Sequence, residues 1–157
     1  MTDEKKQEFT LRITSANKTE LVEILYEMLL VYIDDANDAI VKKDLNYTHE
    51  SIRKARAVLR ELMESIDFAD DLAGNFLSLY AYVNKELLLA EIRKDVSIFG
   101  DIKKVIEPLR DTNIEVAKKD DSEPIMANTQ KVVAGMTYSR NDINEALDDQ
   151  SNRGFYV

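Results

Sequence analysis

The stretch Ile52-Arg53-Lys54-Ala55-Arg56-Ala57-Val58-Leu59-Arg60-Glu61-Leu62-Met63-Glu64-Ser65-Ile66 decides the architecture. Ile52, Ala55, Leu59, Leu62 and Ile66 recur at spacings of three, four, three and four, the period of a helix with one buried stripe, and charges fill most of the positions between. Such a stripe cannot be buried by the helix that carries it, so the pattern calls for partners of the same kind. The spacing predicts a helix over about 47–66.

The same rhythm recurs on either side. Downstream, Phe76, Tyr80, Val83, Leu87 and Ala90 predict a helix over about 71–94, flanked by Leu79 and Tyr82, and Ile98, Ile102, Val105, Leu109, Thr112 and Val116 predict another over about 95–119. Gly100 and Pro108 weaken that last helix, and Pro108 predicts a kink near Lys104, whose carbonyl it crowds. Upstream, Asn17 and Glu20 stand at the spacing of a capping box and open a helix running to about Lys43. Its middle, Ile24-Leu25-Tyr26-Glu27-Met28-Leu29-Leu30-Val31-Tyr32-Ile33, is apolar around most of its circumference, so something must cover its second face. Connections of a few residues around Asp44, Asp67 and Asp95 make consecutive helices antiparallel neighbours. The fold class that follows is all-α: an antiparallel up-down-up-down four-helix bundle over 18–119. Residues 1–17 read as a mobile N-terminal arm, with Phe9, Leu11 and Ile13 isolated among polar residues. Residues 120–157 read as a C-terminal extension that restarts at Ser122 and Pro124 and has the material for a short fifth helix.

Composition narrows the function. The chain has 157 residues, four Gly, two Pro and no Cys, which suits one helical domain in a reducing, cytoplasmic compartment and rules out disulfides and thiolate metal sites. Its first residues carry no apolar signal-peptide core, and no run of about 18 apolar residues occurs, so no membrane insertion is expected. The Asn-x-Thr sequons at Asn17 and Asn46 are accidental in that setting. A net charge of -9 argues against nucleic acid as a partner, because phosphate binding needs clustered Lys and Arg.

Catalysis finds no support. The bundle-core positions are apolar, and the sole histidine, His49, has no Glu three residues before it, so the Glu-x-x-His pairs of a di-metal bundle are absent. One imidazole is also thin provision for a nucleophile-base-orienter set. No catalytic residue, metal or cofactor is expected. A lone His on a four-helix bundle raises the alternative of a histidine phosphotransfer domain. The segment His49-Glu50-Ser51-Ile52-Arg53-Lys54-Ala55 puts acid beside the ring and lacks the Lys and Gly that usually follow there. A non-catalytic scaffold bundle is the other alternative. The paired acids at Asp34 and Asp35, Asp70 and Asp71, and Asp148 and Asp149 read as solvent-facing groups near helix ends.

Ordered pieces of the chain resemble a known family. Ile13-Thr14-Ser15-Ala16-Asn17-Lys18-Thr19-Glu20-Leu21, followed by Ile24-Leu25-Tyr26-Glu27, is similar to the opening V-x-T-A-S-P-x-E-L and M-L-Y-D/E of the flagellin export chaperones, FliS. The likeness continues with Ile52 to Leu62, with Leu79-Tyr80-Ala81-Tyr82 and Leu87 to Ala90, and with Leu109-Arg110-Asp111-Thr112, in order across about residues 13–117. Lys18 stands where Pro is usual, Ala81 where Asp is, Asn113 where Trp is, and Phe9 lies one place from the arm's usual Tyr. The resemblance implies a cytosolic chaperone that binds the C-terminal helical region of flagellin, prevents premature polymerisation and delivers the client to the cytoplasmic domain of the export gate. It implies client contacts in the region of Leu25, Tyr26, Leu29, Leu79, Tyr80, Tyr82 and Val83, all of which also fit ordinary bundle core. Phe9, Leu11 and Ile13 are the candidate regulatory arm, occupying apolar surface until the client displaces them. The extension's Ile125, Val132, Val133 and Met136 form a face that could compete for the same groove.

Overall fold

The computed structural model describes residues 1–126, and these are all-α. The described helices are α1 (Asp3–Ser15), α2 (Lys18–Val41), α3 (Leu45–Glu64), α4 (Ala73–Arg93) and α5 (Ser97–Ala117). Helices α2 to α5 agree with the periodicity to within two residues at each end.

Helices α2 to α5 share one core. Leu29 and Ile33 of α2, Ile52, Leu59 and Leu62 of α3, Val83 and Leu87 of α4, and Ile102 and Ile106 of α5 are buried together. Each Leu or Ile withdrawn from water in this way contributes on the order of 1.5–3 kcal/mol, which makes the α3 stripe read from the sequence the natural seam of the molecule. Around the core, α2 contacts α3 and α5, and α4 contacts α3 and α5. Polar pairs pin these contacts: Arg56 donates to Asn84 at 2.9 Å and His49 meets Glu91 at 2.7 Å between α3 and α4, while Asn113 donates to the Thr19 carbonyl at 2.9 Å and Lys103 pairs with Asp34 between α5 and α2. Among the described residues no buried side-chain polar atom lacks a partner.

Local rules account for the helix ends. The capping box at Asn17 and Glu20 is formed in both directions, at 2.9 Å each way, and Asp44 caps α3 through the Tyr47 amide. Helix α2 passes into α3 through Lys43, and α4 ends at Lys94, both in the left-handed region at φ 59° and 54°. Glycine usually occupies that position after a helix, so both lysines carry backbone strain. Helix α5 stays helical through Pro108, which is exposed, so the missing amide leaves its uncovered carbonyl on the wet side of the helix.

The arm is where expectation and structure part. Residues 3–15 are a helix: Thr2 caps it through the Lys5 amide, and Asp3 and Glu4 lie in its first turn. Phe9 is 2% exposed and packs with Ile24 of α2 in a second apolar cluster that also takes in Ile13, Met28 and Val31. Arg12 donates to Glu27 through both terminal guanidinium nitrogens, at 2.5 and 2.9 Å. The second apolar face of α2 is therefore covered by α1. The sequence conceals this helix because its apolar residues are too few to make a stripe, and the surface that stabilises it belongs to α2. The extension beyond residue 126, including Val132, Val133 and Met136, lies outside the described residues.

Candidate functional site

One end of the bundle carries an open apolar groove of about 260 Å³. Early α2 provides Val22 and Tyr26, the α3–α4 connection provides Ile66, α4 provides Phe76 and Tyr80, and late α5 provides Leu109 and Val116. Ser65, Asp67, Asp70, Thr112 and Asn113 supply a polar edge. The α3–α4 connection at the groove spans 65–72, several residues more than a tight turn, and is shaped by short-range Asp turns. Asp67 accepts from the Ala69 amide and Asp70 from the Leu72 amide, at 3.0 and 2.8 Å. The same connection leaves Phe68 71% and Leu72 52% exposed, and Val116 is 52% exposed at the α5 wall. Scattered apolar residues on a surface are ordinary, but Val116 lines a concave apolar site.

The inner wall has a defined polar joint. The Tyr26 and Tyr80 hydroxyls meet at 2.5 Å, both side chains being buried, and Phe76 stacks beside Tyr80 with ring centroids 6.2 Å apart. Burial, then the partner hydroxyl, pushes the Tyr26 phenol far above its ordinary value, and burial raises Tyr80 as well. Burial therefore favours the neutral form of both phenols. Among the described residues no group of three His, Cys, Asp or Glu side chains is placed to hold a metal ion. The groove can bind an apolar helix or strand and offers it hydrogen bonds at one edge.

The residues expected at a client site are divided by this geometry. Tyr26 and Tyr80 reach the groove wall. Leu25, Leu29 and Val83 lie in the bundle core, Leu79 is half-buried, and Tyr82 is exposed, and none of these five lines the groove. In the arm, Phe9 is buried, Ile13 half-buried and Leu11 exposed. Phe76, Ile66, Leu109 and Val116 are groove residues that a stripe analysis assigns to core alone, since helical spacing shows which face is apolar and not whether a neighbour fills it. Asn113 turns its amide to the Thr19 backbone, tying α5 to the first turn of α2 beside the groove. His49 sits far along α3 from this end, with its Nδ1 against Glu91.

Comparison with known proteins agrees with the architecture. The family model described as flagellar protein FliS matches residues 1–120. The chain belongs to the FliS family. It is also similar to the flagellar secretion chaperone FliS of Bacillus subtilis (strain 168), at 25% identity over 99 residues that cover 63% of this chain and 74% of that protein. The FliS match takes in α1 as well as α2 to α5, so the helix hidden from periodicity belongs to the family's extent, whereas residues 121–157 fall beyond it. No helix among the described residues is long and apolar enough to cross a membrane.

Proposed function

We propose that this protein is a flagellar secretion chaperone that holds the C-terminal helical region of flagellin in the cytosol, keeps it from polymerising and brings it to the cytoplasmic domain of the export gate. The groove between α2, the α3–α4 connection, α4 and α5 is the observation that carries this reading, because an amphipathic helix buries its apolar face in a cleft of that kind. Its work is holding, with no reaction catalysed. The opposed numbering of the cross-helix pairs, His49 with Glu91 and Arg56 with Asn84, supports the antiparallel up-down-up-down order for the bundle over 18–119. Tyr26 and Tyr80 touch the client in this reading, while Leu25, Leu29, Leu79, Tyr82 and Val83 hold the walls in place. Helix α1, with Phe9, Leu11 and Ile13, is the regulatory arm: Phe9 and Ile13 cover apolar surface of α2 that loading makes available, and Leu11 stands exposed beside them.

The test is titration calorimetry with cognate flagellin, full-length and lacking its C-terminal segment. Binding to the first and not the second, with a negative heat-capacity change, is expected. Val116→Glu places a charge on the exposed α5 wall and should weaken binding at least about tenfold, the cost of burying an unpaired carboxylate, while the circular dichroism stays unchanged. Equal binding of both flagellins would remove the C-terminal region as the client segment.

A further inference from the structure

The two connections at the end of the bundle remote from the groove are near copies of each other. Val41-Lys42-Lys43-Asp44-Leu45 spans the α2–α3 connection and Ile92-Arg93-Lys94-Asp95-Val96 spans the α4–α5 connection. Each reads aliphatic, cation, lysine, aspartate, aliphatic. The likeness extends to the backbone, because Lys43 and Lys94 are the non-glycine residues with positive φ among the described residues. The aspartates serve the helix that follows: Asp44 accepts from the Tyr47 amide and Asp95 from the Ser97 amide, both at 3.0 Å. The other four positions of each turn face water. Val41 is 66%, Leu45 61%, Ile92 75% and Val96 38% exposed, and Lys42, Lys43, Arg93 and Lys94 are exposed beside them.

These turns share one end of the molecule, since His49, early in α3, meets Glu91, late in α4, at 2.7 Å. Along α2, Val41 stands about 28 Å from Val22 of the groove, and along α4, Ile92 stands about 24 Å from Phe76. The charge of the two ends is opposite. The whole chain has 21 Lys and Arg against 30 Asp and Glu, whereas the two turns hold four cations against two capping aspartates. At the groove end, the exposed Phe68 and Leu72 lie among Asp67, Asp70 and Asp71, with no cation in that connection. Cations after a helix C-terminus answer its dipole and are ordinary. The dipole does not ask for four aliphatic side chains in water, nor for lysine twice in a left-handed position where glycine would relieve strain. Strain retained at such a position points to use of the side chain.

We propose that this end of the bundle docks on an anionic lipid surface, with Val41, Leu45, Ile92 and Val96 entering the headgroup boundary and Lys42, Lys43, Arg93 and Lys94 on the lipid phosphates. Turn tips are convex, and a lysine stem lies along apolar material while its ammonium stays at the phosphate level. The acidic groove end is repelled by the same surface, so the contact is oriented and leaves the groove open to its client. The contact is peripheral, as no described helix is long and apolar enough to cross a membrane. It stands independently of what occupies the groove.

The test is flotation of the full chain at low salt with vesicles of phosphatidylcholine alone and of equal parts phosphatidylglycerol and phosphatidylcholine. Binding to the second and not the first is expected. Lys43→Gly with Lys94→Gly relieves both left-handed positions, so this chain should be at least as stable in urea, yet it should bind about tenfold more weakly through the loss of two cations. Val41→Ser with Ile92→Ser keeps every charge and should also weaken binding, which separates entry into the headgroup layer from attraction alone. Lys118→Ala with Lys119→Ala removes the same charge at the groove end and should leave binding unchanged. No binding to the anionic vesicles, equal losses in the two lysine pairs, or full binding after the serine exchange would each overturn the proposal. Retention on immobilised polyglutamate with none on vesicles would overturn it in favour of an acidic protein partner.

Discussion

At the residue scale, the Tyr26–Tyr80 joint shows how a polar contact is kept inside an apolar wall. Each phenol is buried and each is the other's hydrogen-bond partner at 2.5 Å. Tyr26→Phe leaves the Tyr80 hydroxyl unpaired and should cost about 1–3 kcal/mol in urea unfolding, whereas Tyr26→Phe with Tyr80→Phe should recover most of that loss. The strained lysines give the opposite sign. Lys94 is exposed with φ 54°, so Lys94→Gly should raise stability by up to about 1 kcal/mol, the left-handed penalty less the extra chain entropy of glycine. Asp120 is held below its usual carboxylate range by hydrogen bonds from the Ser122 and Thr19 hydroxyls and the Ser122 amide. A depressed folded-state value means that this strap is favoured above about pH 4, the ordinary aspartate range, and is weakened as pH falls through the lowered value. Hydrogen exchange at the Ile125 amide should lose protection on acidification over that interval, after correction for intrinsic exchange.

At the scale of the element, α1 is a helix made by its neighbour. Its own sequence supplies a cap, acidic first-turn residues and a few local ion pairs such as Lys5 with Glu8, a sum too small to hold an isolated 13-residue helix in water. Phe9 provides the rest by packing on Ile24, with Lys5 and Arg12 placed over its ring at 5.1 and 5.8 Å. Phe9→Ala should therefore release α1, bringing the exchange rates of the amides of residues 6–15 towards those of an unfolded chain, while the core amides of α3 and α4 keep their protection. If α1 is the regulatory arm, the same variant should bind flagellin more tightly, because the client no longer competes with Phe9. Unchanged affinity in a chain whose α1 amides have become unprotected would separate the arm from regulation. Helix α3 is the contrasting case: its stripe was readable because Ile52, Ala55, Leu59 and Leu62 all face one shared core.

At the scale of the whole molecule, the described residues carry a covered apolar face on α2 and an open apolar groove at one end. Raising salt should leave binding at the apolar groove nearly constant, since screening acts on exposed charges, over about 8–10 Å at moderate ionic strength, and not on apolar burial. What was legible in the sequence follows from this arrangement. Helix periodicity, the capping box at Asn17 and Glu20 and the scarcity of Gly and Pro are properties of neighbouring residues along the chain, so they located α2 to α5, and the excess of apolar residues in α2 showed that a second face needed cover. The ordered motifs from Ile13 to Thr112 pointed to the family. Core and groove could not be told apart in this way: Leu29 and Phe76 obey the same spacing, yet Leu29 is fully buried in the shared core and Phe76 lines the open groove. That α1 is the cover and that Tyr26 meets Tyr80 across 54 positions are facts of tertiary packing. Each depends on which surfaces remain after the core has closed, and local sequence, which sets the faces of a helix, holds no record of what stands opposite them.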